Sequence, residues 1–308
     1  MVSRVNARGA TVSLQARKLH SVFAAEVTGL DLAKPTTPEI VKFIEDAMAE
    51  YAVVVIPGQS HITDAQHAEF SAHFGPREKP VGVASGDPNK RYRLGDFMFD
   101  AGNLDADGNL LPPDHPRRKM RAGDSLWHSD SSFNPMPTKW SLLRAVEIPP
   151  EGGNTDFADC RAAYDALDDA MKAKIEDLTA DHSIWTSRRR AGLEDITEDH
   201  IRGLPPVIQP VVRTIPESGR KVFYTGAHAG HIYGMPYEEG KALLEWLTEF
   251  ATQPQFVYSH KWSVGEIVIW DNRAVLHRAG KFEGTTTYRR DMRRTTIDEY
   301  QPSWANLG

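Results

Sequence analysis

The sequence predicts a mainly β fold with flanking helices, its core a double-sheet jelly roll. Three observations point there. Short apolar runs recur between turn signals at irregular spacing, at 141–148, 156–158, 207–212, 221–224, 256–260 and 266–270, as in a two-sheet architecture. Ala52 to Ile56 (AVVVI) is a continuous run, β-branched after Ala52 and closed by Pro57–Gly58, the mark of a strand covered on both faces. Helical periodicity is confined to a few stretches that fall between the strands. No repeat or linker divides the 308 residues, so 1–308 is expected to form one domain.

In chain order, Ser21 to Leu32 alternates weakly and reads as a strand ending in a Gly–Leu–Asp turn. Thr36–Thr37–Pro38–Glu39 supplies an N-cap with proline in the first turn. Ile40, Phe43, Ile44 and Met48 follow at helical spacing. A second helix is expected over Thr63–His73. From about 75 to 123 the pattern dissolves into Gly, Asp, Pro and charge, with Leu111–Pro112–Pro113 and Pro116–Arg117–Arg118–Lys119. A connection that long in a compact chain is functional or disordered, and this one reads as a lid poorly ordered without substrate. Further helices are expected at Cys160–Thr179 and Tyr237–Thr252.

Composition narrows the function. Hydrophobic residues at 40% and charged residues at 25% are ordinary for a soluble globular chain. A net charge of −6 argues against nucleic acid as the main partner. The single cysteine, Cys160, precludes an internal disulfide and suits a reducing compartment. No stretch has the length and apolarity of a signal core or a membrane span. A cytoplasmic protein is the expectation. Nucleophile elbows, Walker loops and dinucleotide fingerprints are absent from the sequence.

Three segments carry chemistry. In Leu126–Trp127–His128–Ser129–Asp130, His128 and Asp130 are two apart and would leave one face of a strand, so both could reach one metal ion. The same triplet is equally a polar strand end with a capping Asp. In Trp270–Asp271–Asn272–Arg273–Ala274–Val275–Leu276–His277, His277 stands beyond the apolar strand 267–269. Two histidines and a carboxylate make a facial triad that leaves three coordination positions open. A lone histidine there would instead be a hydrogen-bonded structural residue. In Arg289–Arg290–Asp291–Met292–Arg293–Arg294, Arg290, Met292 and Arg294 share one strand face. Such a strand suits carboxylate recognition, or it is a solvated basic edge. Trp127 and Trp270 read as core. His182, His228 and His231 could approach the pocket or be hydrogen-bonded structure.

Taken together, LWHSDSSF (126–133), PPEGGNTDFADCRAAYDAL (149–167), SGRK (218–221), GAHA (226–229), EFATQPQFVYSHKW (249–262), WDNRAVLHR (270–278) and RRDMRRTT (289–296) resemble the TauD/TfdA family of Fe(II)- and 2-oxoglutarate-dependent dioxygenases. Within it they resemble the 2,4-dichlorophenoxyacetate branch. The resemblance runs from about Leu19 to Thr296. It implies a double-stranded β-helix form of the jelly roll and a single catalytic domain. It also implies Fe(II), 2-oxoglutarate and O₂ as cofactor and co-substrates, and a homo-oligomer. His128, Asp130 and His277 match the iron ligands. Thr155 and Arg290 match the residues that bind the far carboxylate of 2-oxoglutarate, and Arg294 the one that holds the substrate anion. The implied reaction hydroxylates a small anionic substrate, an aryloxyacetate ether in this branch, which collapses to a phenol and glyoxylate. An alkyl sulfate, a sulfonate or another carboxylate would fit Arg294 as well. A zinc hydrolase would use the same triad but leaves Arg290, Thr155 and Arg294 without a role, and a jelly-roll binding protein would need no triad. The family's substrate-facing lysines have no clear counterpart among Lys79, Lys90, Arg91 and Arg93.

Overall fold

The structure, a computed structural model, describes residues 3–5, 11–79, 93–94 and 98–299. The chain opens with β1 (Ser3–Val5), β2 (Thr11–Ser13), β3 (Gln15–Lys18), β4 (Ala25–Thr28), α1 (Pro38–Tyr51), β5 (Val53–Ile56) and α2 (Asp64–Ala72). Its middle supplies β6 (Phe99–Asp100), α3 (Pro116–Met120), a 3₁₀ turn (Arg121–Ser125), β7 (Thr138–Glu147), β8 (Thr155–Asp159), α4 (Cys160–Asp165), α5 (Asp169–Ile175), β9 (Thr179–His182), α6 (Ile184–Arg190) and α7 (Glu198–Gly203). The last third adds β10 (Val207–Pro210), β11 (Val212–Thr214), β12 (Lys221–Phe223), β13 (Ala229–Ile232), α8 (Tyr237–Ala251), β14 (Val257–His260), β15 (Ile267–Asp271), β16 (Val275–Ala279) and β17 (Asp291–Asp298).

Seven strands form the main sheet in the order β3–β4–β5–β15–β7–β17–β6, and β14–β8–β16 form a second, smaller one. The two sheets face each other across the core, which makes the expected jelly roll with outer helices. The run at 53–56 is buried throughout because each of its faces meets a different layer. Val54 and Ile56 join Leu142, Ile267, Ile269 and Ile297 against Ile44, Met48 and Phe70 of α1 and α2. Val53 and Val55 join Leu143, Val268, Trp270 and Met292 against Phe157 and Leu276 of the smaller sheet. A strand buried on both sides has no reason to alternate polar with apolar.

Local chemistry sets the ends of the first helices. Thr37 stands extended before Pro38, and α1 closes at Ala52, whose φ of 56° lets its N–H return to the Met48 carbonyl. Thr63 and Gln66 cap α2 reciprocally.

Several expectations need correction. The helix expected over Cys160–Thr179 is two, because Asp168 accepts from the Met171 amide and starts α5 afresh. The strand expected from Ser21 is only Ala25–Thr28. The stretch 75–123 is not a structureless connection where it is described. Phe99 and Asp100 pair with Arg294 and Arg293, and α3 and the 3₁₀ turn follow. A chain of ion pairs fastens this stretch to β17: Arg144–Asp64 (2.6 Å), Arg293–Asp64 (2.6 Å), Arg293–Asp291 (2.7 Å), Arg93–Asp291 (2.7 Å), Arg93–Asp100 (2.9 Å) and Arg117–Asp100 (3.2 Å). Arg93 is therefore committed to structure, Lys79 is exposed, and Lys90 and Arg91 lie outside the described residues.

Two predictions follow from this packing. Ile269 is fully buried on the helix-facing side of β15. Ile269→Ala should lower the unfolding free energy by about 2–5 kcal/mol in denaturant titrations and leave divalent-metal affinity unchanged, since the residue faces away from the opposite layer. His67 of α2 is fully buried; burial first, then the Arg144 charge, brings its pKa down to about 3. A depressed folded value means that its stabilising contribution is complete above the unfolded value near 6.5 and is lost as pH falls towards 3. Stability should decline through that window by up to about 1.4 kcal/mol per pH unit from this one residue. His67→Gln should flatten that decline in unfolding curves taken from pH 7 to 4.

Candidate metal centre and anion site

β16 carries His277 inward from the smaller sheet, and the chain at His128 lies alongside it. His128 and His277 exchange both backbone hydrogen bonds (3.0 and 2.8 Å). This pairing puts the imidazole rings 4.2 Å apart between centroids. Asp130 follows at the start of a tight turn, in which Ser131 adopts a left-handed φ of 49°. His128 and Asp130 thus do not sit on a regular strand as expected, nor does His277 lie past a strand end; it is the middle of β16. The expected convergence holds nonetheless. One donor atom from each of His128, Asp130 and His277 falls within 4.8 Å of the others, and all three residues are buried.

Hydrogen bonds aim these donors. His128 Nδ1 lies 2.7 Å from the Leu126 carbonyl, which makes it the protonated nitrogen and leaves the Nε2 lone pair facing Asp130, 3.9 Å away. His277 Nε2 lies 3.6 Å from Asp130. The carboxylate accepts from Ser141 Oγ at 2.7 Å and from Arg294 Nη1 at 2.6 Å. Burial opposes its ionisation, but Arg294, the two imidazoles and the Ser141 hydroxyl together hold the carboxyl well below its usual range. Burial first, and then His128, keeps His277 neutral. A carboxylate and two imidazole nitrogens are the donor set that a divalent ion requires.

Asn272, fully buried in the turn between β15 and β16, ties the site together. Its Oδ1 accepts from the Asp130 amide (3.0 Å) and from Trp270 Nε1 (2.9 Å), its Nδ2 donates to Ser141 Oγ (3.0 Å), and its carbonyl accepts from Ser129 Oγ (2.9 Å). In the sequence Asn272 is marked only by its place in WDN, shortly before the second histidine. Glu78 braces the turn from outside, accepting from Ser131, Asn134 and Thr138 at 2.8–3.0 Å.

A second group lies along the same interior. Thr155 of β8 stands opposite Ala279, two residues from the Phe157–His277 pair, so it shares the face of His277. Its Oγ1 accepts from Trp262 Nε1 at 3.0 Å, which leaves the hydroxyl proton free to donate. Arg290 lies against the Gly152–Gly153 turn just before it, where a Cβ on Gly153 would stand 3.7 Å from the Arg290 Nε. Among the described residues Arg290 forms no ion pair; its Nη1 donates to the Ala101 carbonyl at 3.0 Å. Trp262 is another residue that the sequence reading did not single out.

The remaining candidates separate clearly. Trp270 is core, and Trp127 is half-buried under the Arg278 guanidinium. His182 is buried, stacks on Tyr224 and bonds Ser132 Oγ at 3.0 Å, and His231 stacks on Tyr237. Trp270 packs on the His277 ring at 4.8 Å between centroids, and of the three histidines His228 alone reaches the triad. Its ring meets the His128 ring edge to face at 5.8 Å and that of Phe133 at 4.8 Å, and its buried Nδ1 has no partner among the described residues. Cys160 is buried, and burial pushes its thiol up to about 12, so it is no nucleophile.

The sequence matches the family described as "Taurine catabolism dioxygenase TauD, TfdA family" over residues 15–296. The chain belongs to this family. It is 41% identical over 289 residues to an alpha-ketoglutarate-dependent 2,4-dichlorophenoxyacetate dioxygenase of Cupriavidus pinatubonensis, a match covering 94% of this chain and 99% of that one. It is 35% identical to an (S)-phenoxypropionate/alpha-ketoglutarate-dioxygenase of Sphingobium herbicidovorans, over 87% and 89% of the two chains. The crystal structure of AAD-2 in complex with Mn(II) and N-oxalylglycine superposes with a TM-score of 0.86 at 44% identity, covering 94% of this chain and 98% of that one. That solved structure shares the architecture described above.

Removing Asn272 would leave the Asp130 amide and the Trp270 indole without their acceptor. Asn272→Ala should cost about 1–3 kcal/mol of stability. It should also weaken Mn(II) binding roughly 10- to 100-fold in calorimetric titration, as loss of a group that orients metal ligands does.

Proposed function

We propose that this TauD/TfdA-family chain is an Fe(II)- and 2-oxoglutarate-dependent dioxygenase. Its substrate is a small anion of the aryloxyacetate class, hydroxylated at the carbon between ether oxygen and carboxylate. The product is a hemiacetal that collapses to a phenol and glyoxylate. The observation that carries this reading is the pairing of a buried His–Asp–His cluster with a half-buried arginine that forms no ion pair among the described residues and a threonine whose hydroxyl is free to donate. A hydrolytic zinc site has no use for that second anion-binding group.

In this reading His128 Nε2, an Asp130 oxygen and His277 would hold the iron. When bound, such a centre would supply the chemistry that couples oxidative decarboxylation of 2-oxoglutarate to succinate and CO₂ with hydroxylation of a substrate C–H bond. The protein positions the reactants. Arg290 and Thr155 take the far carboxylate of 2-oxoglutarate by charge-assisted hydrogen bonds. Arg294 lies beside Asp130 with a buried Nε–H lacking an acceptor among the described residues, which supports a role for it in holding the substrate's carboxylate. His228, which meets the His128 ring, and Phe133, which packs on His228, supply the neutral wall that an aryl ether needs. The names of the relatives, specifying phenoxyacetate and phenoxypropionate substrates, support the class. No helix among the described residues is long and apolar enough to cross a membrane, in keeping with a cytoplasmic enzyme.

The test follows succinate from protein supplied with Fe(II), ascorbate, O₂ and 2-oxoglutarate, adding phenoxyacetates, phenoxypropionates, alkyl sulfates or taurine one at a time. Stimulation by phenoxyacetate, with phenol and glyoxylate appearing in step, is the expected result. His128→Ala should abolish it, and Arg290→Gln should raise the KM for 2-oxoglutarate roughly 10- to 100-fold. Stimulation by a sulfate or sulfonate alone would reassign the substrate, and no succinate from iron-loaded protein would remove the dioxygenase reading.

A further inference from the structure

Arg290 has a neighbour with the same unmet need. Arg121, at the start of the 3₁₀ turn that leads into the His128 segment, donates from Nη1 to the Gly102 carbonyl. Arg290 donates from its own Nη1 to the adjacent carbonyl, Ala101. The two guanidiniums therefore converge on consecutive peptide groups. Arg121 Cζ also lies 5.2 Å from the centroid of the Phe99 ring, and Arg294 Cζ lies 4.6 Å from that same centroid.

The three arginines differ in what balances them. Arg294 is paired with Asp130 at 2.6 Å. The nearby carboxylate of Asp100 is taken by Arg93 and Arg117, and Asp291 by Arg93 and Arg293. Arg121 and Arg290 form no ion pair among the described residues. Burial brings each down to about 10, and in Arg121 the charges of Arg117 and Arg290 add to the effect. Asp124 offsets both charges, and Asp100 that of Arg121, only from a distance and without an ion pair; two neighbouring half-buried cations so weakly balanced are costly to keep. A carboxylate between them relieves both at once, since each guanidinium can donate to one of its oxygens.

We propose that Arg121 and Arg290 form a two-guanidinium cradle for the far carboxylate of the 2-oxo acid, with Arg121 a co-substrate-binding residue in its own right. This rests on the dioxygenase reading above and adds to it a residue from outside the C-terminal strand. The co-substrate side is favoured over the substrate side because Arg121 is joined to Arg290 through consecutive carbonyls, and Arg290 lies on the turn before Thr155. The substrate's anion is assigned to Arg294, beside the metal ligand Asp130.

The bland alternative is that Arg121 only fastens the loop at Gly102. Arg118 does that job nearby, donating to the Leu111 carbonyl (3.1 and 2.7 Å) and to the Thr285 carbonyl (2.7 Å), and so serves as the control. The experiment titrates N-oxalylglycine into Mn(II)-loaded protein by calorimetry for the wild type, Arg121→Gln, Arg121→Lys and Arg118→Gln, with unfolding midpoints recorded for each. Arg121→Gln should bind roughly 10- to 100-fold more weakly. Arg121→Lys should recover part of that loss, because the charge returns without the planar fork. Arg118→Gln should bind like the wild type even if its midpoint falls. In the succinate assay Arg121→Gln should raise the KM for 2-oxoglutarate and leave that for substrate unchanged. Unchanged affinity in Arg121→Gln, equal losses in Arg121→Gln and Arg118→Gln, or an effect confined to the substrate KM would each overturn the cradle. Failure of the wild type to bind N-oxalylglycine would instead strike the co-substrate reading itself, and the cradle with it.

Discussion

A carboxylate buried in the middle of the fold must be kept ionised, and much of the molecule is arranged to meet that demand. Asp130 is 5% exposed, a position in which an unaided carboxyl would stay protonated. Its charge is held by a guanidinium from β17, a hydroxyl from β7 and two imidazoles, one of them from β16. Its backbone is held by Asn272 from the β15–β16 turn. The helpers come from both sheets, so the sheets must be docked correctly before the site exists. The charge at the centre is thus bound up with the tertiary structure as a whole.

The residues of the centre were legible in the sequence because their chemistry is local. A histidine and an aspartate two apart, a histidine after an apolar strand and a basic alternating strand can each be recognised within ten residues. What escaped was what depends on contact between distant segments. Asn272 matters through Asp130, Trp262 through Thr155, and Arg121 through Arg290; each has an ordinary neighbourhood and gains its role only on folding. Two details of backbone also went astray for this reason. The His128 segment is held extended by His277 rather than by its own propensity, and β16 follows β15 so closely that the pair read as one strand and a tail.

The stretch at 98–125 shows the opposite error. Its Gly, Asp, Pro and Arg content is that of a surface connection, and periodicity could find nothing in it. Most arginines here are structural staples: Arg117 and Arg118 each close on a backbone carbonyl of the 101–111 region, and Arg93 and Arg117 clasp Asp100. Such order is made of charge and main-chain acceptors, with little apolar surface, and so leaves no hydrophobic pattern to read. The jelly-roll strands, which rest on apolar burial, were found far more readily.

The two-sided nature of β17 has a consequence for how the chain avoids misfolding. Around its start the sequence runs Arg289–Arg290–Asp291–Met292–Arg293–Arg294, nearly a palindrome of arginine pairs. A slip of one residue against β7 would still point two arginines at the interior, so the cationic residues alone cannot tell right from wrong. The two residues in the middle can. Met292 is fully buried in the core while Asp291 is clasped by Arg93 and Arg293 on the other face, and a slip would trade their places, placing a carboxylate in the core and a thioether among charges. The residues with no part in the chemistry are the ones that proofread the strand carrying it.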